Sequence, residues 1–412
     1  MKVVTRFAPS PTGKLHIGGA RTALFNYLFS KYNSGDFIIR IENTDKNRST
    51  LDNVKSIIDS MSWLNFHSSK KIVFQTESYK YHQKIAFELL DKNFAYKCYL
   101  KEEQLEELRT QSRKTGIPIK SPYRNQVTKN NTNDDFVIRL KMPSSGETTI
   151  DDKVQGKVNI KNQILDDMVL LRKDKTPTYM LASVVDDFNM GITHIIRGDD
   201  HFNNAFRQIQ IIKYLNWPIP VYAHIPLIHG QDGAKLSKRH GAKNLMEYKE
   251  LGYDPIAINN YLLRLGYSIN EEKILNFEVD KFKFELKKIN RSPSRFDEKK
   301  LININSNFLK NADLNLLISK ISKSYDLTDK NYIAKIFKLL PDLVKRYKFL
   351  KEIEGDLDWI SDRDLHQTAT SFEDLKNETN QKILYEVLTL LNSCDWELNV
   401  IKNSINNYIN DK

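Results

Sequence analysis

Apolar positions near the amino end alternate between strand-like and helical spacing. Val3, Val4 and Phe7 read as a short strand over residues 2–7, which enters a turn containing Pro9, Pro11 and Gly13. Beyond the turn, Ala20, Leu24, Phe25, Tyr27 and Leu28 form an apolar stripe at helical spacing. Residues 37–41 read as a second strand and residues 54–64 as an amphipathic helix. This order predicts the first half of a doubly wound parallel α/β sheet.

The texture then changes. Residues 79–90 have helical spacing, residues 102–113 read as a charged helix, and residues 134–140 and 148–160 read as strands. The α/β pattern resumes at about Tyr179, with a strand over 193–196 and a helix over 204–215. Residues 76–177 therefore read as an α+β insertion that splits a nucleotide-binding domain into residues 1–75 and 178–238. Residues 255–265 and 332–349 have helical periodicity, and strand signals are few from Asn303 onward. The expectation is a connecting helical domain over 239–305 and an all-α module over 306–412. The predicted fold is thus a Rossmann-like α/β domain, split by an insertion and followed by an all-α C-terminal module. No internal repeat or low-complexity linker interrupts it.

A chain of 412 residues is too long for one ordinary core and predicts two or three domains. Hydrophobic content of 40% and charged content of 28% are those of a soluble globular protein. No apolar run approaches the ~18 residues of a membrane span. Met1-Lys2-Val3-Val4 leads directly into a strand, so no secretory signal is expected. Cys98 and Cys394 are far apart and offer no disulfide framework, which fits a reducing cytoplasm. The net charge of +11 suits a polyanionic partner, although solubility explains it equally well.

Chemistry concentrates in two stretches, Arg6 to Gly19 and Lys235-Leu236-Ser237-Lys238-Arg239. In the first, His16, Gly18 and Gly19 fall at a strand-to-helix junction, where backbone approaches a phosphate and the helix N-terminus favours an anion. In the second, two lysines and a hydroxyl lie on a loop flanked by Gly230, Gly233 and Gly241, suited to neutralising a polyphosphate and to closing over it. Together they suggest ATP held for attack at its α-phosphate with loss of pyrophosphate. Taken singly, His16 reads as a surface residue and the basic loop as solvated.

These stretches resemble the HIGH and KMSKS signatures of class I aminoacyl-tRNA synthetases. The neighbouring text is similar to that of bacterial glutamyl-tRNA synthetases. Ile41-Glu42-Asn43-Thr44-Asp45, Pro177-Thr178-Tyr179, Val184-Val185-Asp186-Asp187 and Ile196-Arg197-Gly198-Asp199-Asp200-His201 follow in that family's order. The resemblance implies ATP-dependent ligation of L-glutamate to tRNA(Glu) through a glutamyl-adenylate. It also implies Mg²⁺ on the phosphates, an acceptor-stem-binding insertion and a helical anticodon-binding part. A monomeric enzyme is expected, with tRNA bound before glutamate is activated.

Within that frame His16, Lys235 and Lys238 are the catalytic candidates. Gly18 and Ser237 join them around ATP, with Asp200 towards the ribose or adenine. Arg6 is the candidate reader of the γ-carboxylate, since a guanidinium grips a carboxylate through two parallel bonds. Tyr179 adds a phenolic hydrogen bond, Glu42 receives the α-ammonium with Ser10 assisting, and Arg197 takes the α-carboxylate. Outside the frame, Arg6 and Glu42 read as a salt bridge between strand ends and Tyr179 as core.

Several positions depart from the family pattern. Gly19 stands where the signature has a second His, Ser183 where some members have Asn, and Asn43 where Asp is usual. Zinc-binding members carry Cys-x-Cys and Cys-x-His in the insertion. Here Cys98-Tyr99-Leu100 and Tyr123-Arg124-Asn125-Gln126 retain one thiol, so no structural zinc is expected. The chain stops at Lys412, short of the family's usual end, so part of the anticodon module is expected to be missing. Arg346 is an anticodon or phosphate contact, or simply a solvated side chain. Alternatives are a non-discriminating enzyme that also glutamylates tRNA(Gln), a glutaminyl-tRNA synthetase, a base-modifying paralogue and a catalytically silent tRNA binder.

Overall fold

The computed structural model describes residues 2–45, 48–126, 135–236, 243–269, 282–324, 330–357 and 376–411. The chain begins with β1 (Val4–Phe7), α1 (Ile17–Tyr32), β2 (Asp36–Ile41), α2 (Leu51–Trp63) and β3 (Val73–Phe74), and the three strands form one parallel sheet in that order. Strand β2 shows why both sheet faces are buried. Phe37, Ile39 and Ile41 enter a core shared with α1 and α2, whereas Ile38 joins a second core. The strand alternation turns Arg40 and Glu42 to the Ile38 side, and in β1 it separates Arg6 from Phe7 in the same way.

Next come α3 (Tyr79–Asp91), β4 (Ala95–Cys98), α4 (Glu102–Thr115), β5 (Val137–Leu140), β6 (Glu147–Asp152), β7 (Gly156–Lys161) and β8 (Val169–Leu171). Strands β4, β5 and β8 form an antiparallel sheet. The stretch 148–160 is a β6–β7 hairpin paired from Glu147↔Lys161 to Asp152↔Gly156. Its turn is closed by the Asp152 carboxylate, which accepts from the Val154 and Gln155 amides at 2.9 Å each. Cys98 is buried, and its thiol donates to Ser121 Oγ at 3.3 Å.

The α/β order resumes with α5 (Tyr179–Asn189), β9 (His194–Gly198), α6 (Phe202–Tyr214), β10 (Val221–Ile225) and β11 (Ile228–His229). Strands β9 and β10 are parallel, and the Thr193 amide donates to Val4 O at 3.0 Å, which brings the start of β9 to β1. The pattern reading does not mark β3, β4, β8 or β10; β3 and β8 have only two and three residues, too few to register as a period.

Helices α7 (Leu245–Glu250) and α8 (Pro255–Arg264) precede β12 (Ser294–Arg295), which pairs with β11. From there the described residues are helical: α9 (Glu298–Asn311), α10 (Leu314–Ser324), α11 (Lys330–Arg346), α12 (Leu350–Leu357) and two further helices, Glu378–Ser393 and Leu398–Asn410. The molecule is therefore α/β with a parallel sheet and a helical C-terminal part. Residues 1–326 and 337–353 form one compact unit, and residues 327–336 and 354–412 form a second, helical in its described residues. Among the described residues no helix is long and apolar enough to cross a membrane.

Candidate active site

One cavity of about 710 Å³ opens at the carboxyl ends of β1, β2 and β9, where an α/β sheet usually receives its ligand. It is lined by Arg6, Ser10, His16, Gly18, Glu42, Tyr179, Arg197, Asp200 and Lys235. Residues from three widely separated parts of the chain are thus brought to one space. Ser237 and Lys238 lie outside the described residues.

His16 is the N-cap of α1, and its Nδ1 accepts the Gly18 amide at 3.2 Å. Burial, then the charge of Lys235, lowers the imidazole pKa below its ordinary value. The neutral ring consequently carries its proton on Nε2 and keeps one donor for a ligand. A side chain at Gly18 would start 3.2 Å from His16 Cε1 and 3.3 Å from Nδ1, crowding the ring. Lys235 stands on the return limb of a turn that follows β11. The Gly230 and Leu236 amides donate to Ala234 O and Ile228 O at 2.8 and 2.9 Å, and Gly233 supplies a φ of 79°. The Lys235 ammonium meets Asp200 Oδ2 at 3.1 Å. Its side chain is 61% exposed, so the pair is weak, ~0.2–1 kcal/mol, and readily exchanged for another anion.

The wall around Arg6 and Glu42 is drier. Arg6 donates through Nε to Asp187 of α5 at 3.1 Å, and among the described residues its two terminal nitrogens make no hydrogen bond. Arg40, fully buried behind it, donates to Asp187 Oδ1 at 2.6 Å and to Glu42 Oε1 at 3.0 Å. Glu42 and Arg6 therefore make no salt bridge with each other; each has its own partner. Burial alone would raise the Asp187 carboxyl, but Arg6 and Arg40 outweigh it and hold it below its ordinary pKa. Burial raises the Glu42 carboxyl despite Arg40 beside it. A buried carboxylate of this kind favours a cationic ligand.

Opposite, Arg197 on β9 donates to His224 Nε2 at 3.0 Å, to the Tyr179 hydroxyl at 3.2 Å and to His201 O at 3.3 Å. Burial pushes the Tyr179 phenol above its ordinary pKa, so it stays protonated. Ser183 accepts from Gln208 Nε2 at 2.7 Å and does not line the cavity. Asn43 exchanges two bonds with Thr76, each 3.1 Å, in place of the charge an Asp would carry. Arg346 is exposed at the end of α11.

Pattern reading did not single out Arg40, Asp152 or His224, and it treated Asp187 only as motif text. The available signal was a charged pair at i and i+2 in an apolar strand, Arg40 and Glu42, and paired aspartates in an apolar helix, Asp186 and Asp187.

A parallel sheet that brings buried guanidiniums to one cavity beside a His-capped helix and a basic turn is the arrangement of an α/β protein suited to anionic ligands. The comparisons narrow this class. Residues 2–303 match the family described as tRNA synthetases class I (E and Q), catalytic domain. "Glutamate--tRNA ligase 2" of Rhizorhabdus wittichii is 53% identical over 315 residues, covering 76% of this chain and 66% of that protein. "Glutamate--tRNA ligase 2" of Zymomonas mobilis is 45% identical over 405 residues, covering 96% of this chain and 84% of that protein. A solved glutamate tRNA ligase from Elizabethkingia meningosepticum, in complex with its amino acid, superposes with a TM-score of 0.78 at 27% identity, covering 99% of this chain and 89% of that one. The chain belongs to the class I tRNA synthetases for glutamate and glutamine.

Proposed function

We propose that this chain is a glutamate–tRNA ligase, which activates L-glutamate with ATP and transfers it to tRNA(Glu). The observation that carries this reading is the convergence of Arg6, Glu42 and Arg197 with His16 and Lys235 on one cavity. An α-amino dicarboxylic acid needs one cation for each carboxylate and one anion for its ammonium, and such groups are among the residues that line the cavity. The phosphate donors lie on the same cavity.

In this reading the terminal nitrogens of Arg6 grip the γ-carboxylate, Arg197 takes the α-carboxylate and Glu42 takes the ammonium, with Ser10 and Tyr179 assisting. An α-carboxylate oxygen attacks the α-phosphorus of ATP, the bond to the bridging oxygen breaks, and pyrophosphate leaves. His16 Nε2–H and the Lys235 and Lys238 ammoniums stabilise the phosphate charge, with Ser237 and Gly18 beside them and Asp200 towards the nucleoside. Positioning and fixed charge supply most of the rate effect. A terminal ribose hydroxyl of tRNA then attacks the glutamyl carbonyl, the anhydride bond to the phosphate breaks, and AMP departs, its phosphate or solvent taking the hydroxyl proton. Mg²⁺ generally binds through one or two carboxylates plus substrate phosphates, and since the described residues hold no cluster of three or more candidate ligands, the phosphates would supply most of its ligands. Bound there, the ion would neutralise phosphate charge.

The sequence frame extends the proposal to the rest of the chain. Residues 76–177 serve as an acceptor-stem-binding insertion in the catalytic domain (1–75 and 178–238), residues 239–305 connect, and residues 306–412 meet the anticodon side. The enzyme acts as a cytoplasmic monomer. The test is glutamate- and tRNA-dependent ATP–pyrophosphate exchange in the parent and in Arg6→Ala. The variant is expected to lose at least ~100-fold in kcat/KM for glutamate while still binding ATP. Equal exchange in the two proteins would remove Arg6 from substrate reading. No exchange by the parent with either tRNA(Glu) or tRNA(Gln) would overturn the ligase reading itself.

A further inference from the structure

Behind Arg197 lies a buried chain of polar groups that the reaction itself does not use. Asp152, on the β6–β7 hairpin, accepts from His224 Nδ1 at 2.6 Å and from the His224, Val154 and Gln155 amides at 3.1, 2.9 and 2.9 Å. Gln155 Nε2 returns a bond to His224 O at 3.0 Å. His224 itself is fully buried on β10, with Phe202 edge-on at 5.0 Å and Tyr222 stacked at 5.8 Å. Its remaining nitrogen, Nε2, accepts from Arg197 Nε at 3.0 Å. We infer that His224, oriented by Asp152, is a positioning residue that sets the plane of the Arg197 guanidinium for the substrate's α-carboxylate.

The donor inventory supports this. An arginine has five N–H bonds. Arg197 commits Nε–H to His224, one Nη1–H to Tyr179 and one Nη2–H to His201 O. Among the described residues one N–H therefore remains on each terminal nitrogen, available to a carboxylate. The arrangement works only if His224 presents a lone pair to Arg197. Burial lowers its pKa to about 4, so the ring is neutral at working pH. Asp152 then holds the single ring proton on Nδ1, which makes Nε2 the acceptor. The β6–β7 hairpin thereby fixes a substrate-binding group on β9 without touching the cavity.

This inference rests on Arg197 binding the α-carboxylate, and the test separates the two. His224→Gln keeps one donor and one acceptor; His224→Met has similar bulk and neither in useful strength. In exchange assays His224→Met is expected to raise KM for glutamate about 10- to 100-fold, His224→Gln by clearly less, and KM for ATP by at most about twofold in either. Combining His224→Met with Arg197→Ala should add nothing to the KM for glutamate of Arg197→Ala alone. Equal glutamate KM in the Gln and Met variants, with matched melting temperatures, would overturn the positioning role. So would additive effects in the double variant. An Arg197→Ala enzyme with unchanged glutamate KM would instead overturn the assignment of Arg197, and the inference with it.

Discussion

Arg6, Arg40, Glu42 and Asp187 occupy one dry face between the sheet and α5, and their charges decide what the cavity accepts. Asp187 ties down one edge of Arg6, leaving the fork of terminal nitrogens for a ligand. Glutamine presents an amide NH2 to that fork, so a buried cation meets a donor and the mismatch costs at least ~1–3 kcal/mol. Glu42 carries a testable sign. Burial holds its carboxyl above the ordinary 4.5, so acidification protonates it before a free carboxylate would follow. The affinity for an α-ammonium should therefore fall as pH drops through that raised value. Stability moves the other way: a folded pKa above the unfolded one means that this group's stabilising contribution is present below pH 4.5 and is lost as pH rises through the folded value. Glutamate kcat/KM measured against pH is expected to show an acid limb above the ordinary carboxylate range. Glu42→Gln should remove that limb, bind glutamate weakly at every pH, and melt no lower than the parent at neutral pH. A limb that persists in Glu42→Gln would assign it to another group. Arg6 and Glu42 were legible because each stands in a short stretch of recognisable text. Arg40 was not, since its partners are a strand neighbour two residues on and a helix 147 positions away.

The element that does most for the phosphate side is α1. His16 closes its first turn and, with the same ring, offers Nε2–H to the cavity, so capping and chemistry share one side chain. Farther along the helix, Arg21 donates to Leu265 O at 3.0 Å and to Pro226 O, joining α1 to the end of α8 and to the segment that leads into the Lys235 turn. Burial lowers its pKa to about 10, with Asp199 opposing, and the guanidinium remains charged. The two duties of His16 are separable. Asn is among the best N-caps but is too short to carry the Nε2 donor outward. His16→Asn is thus expected to hold the melting temperature of the parent while exchange falls about 10- to 100-fold. His16→Ala should lose the same activity and also ~1 kcal/mol of stability. If His16→Asn retained full exchange, the ring would be a cap and nothing more. The strand–turn–helix around His16 was readable because its signals are local: an apolar strand, a proline turn, a stripe of period 3.6. The β6–β7 hairpin was read only as strand, because its turn is closed by Asp152, whose other bonds reach His224 72 positions later.

At the scale of the molecule, the site is gathered at strand carboxyl ends by tying Val4 of β1 to Thr193, just before β9, across 189 positions. The excess of 11 positive charges then bears on what the cavity serves. A tRNA is a far larger polyanion than ATP, and each phosphate neutralised by Lys or Arg releases counterions, so its binding should depend on salt with a slope of ~0.7–0.9 per phosphate. Three neutralised phosphates imply a loss of tRNA affinity of about 20- to 40-fold between 50 and 200 mM salt. If glutamate is held by the buried Arg6, Arg197 and Glu42 as proposed, it is screened much less, and its KM should change about twofold or less over that range. Aminoacylation with tRNA(Glu) varied at fixed glutamate, and the reverse, distinguishes the two substrates in one salt series. A tRNA KM indifferent to salt would mean that the surplus charge serves solubility alone. A steep dependence for glutamate would mean that the amino-acid pocket is open to solvent, contrary to the burial of Arg6, Glu42 and Arg197.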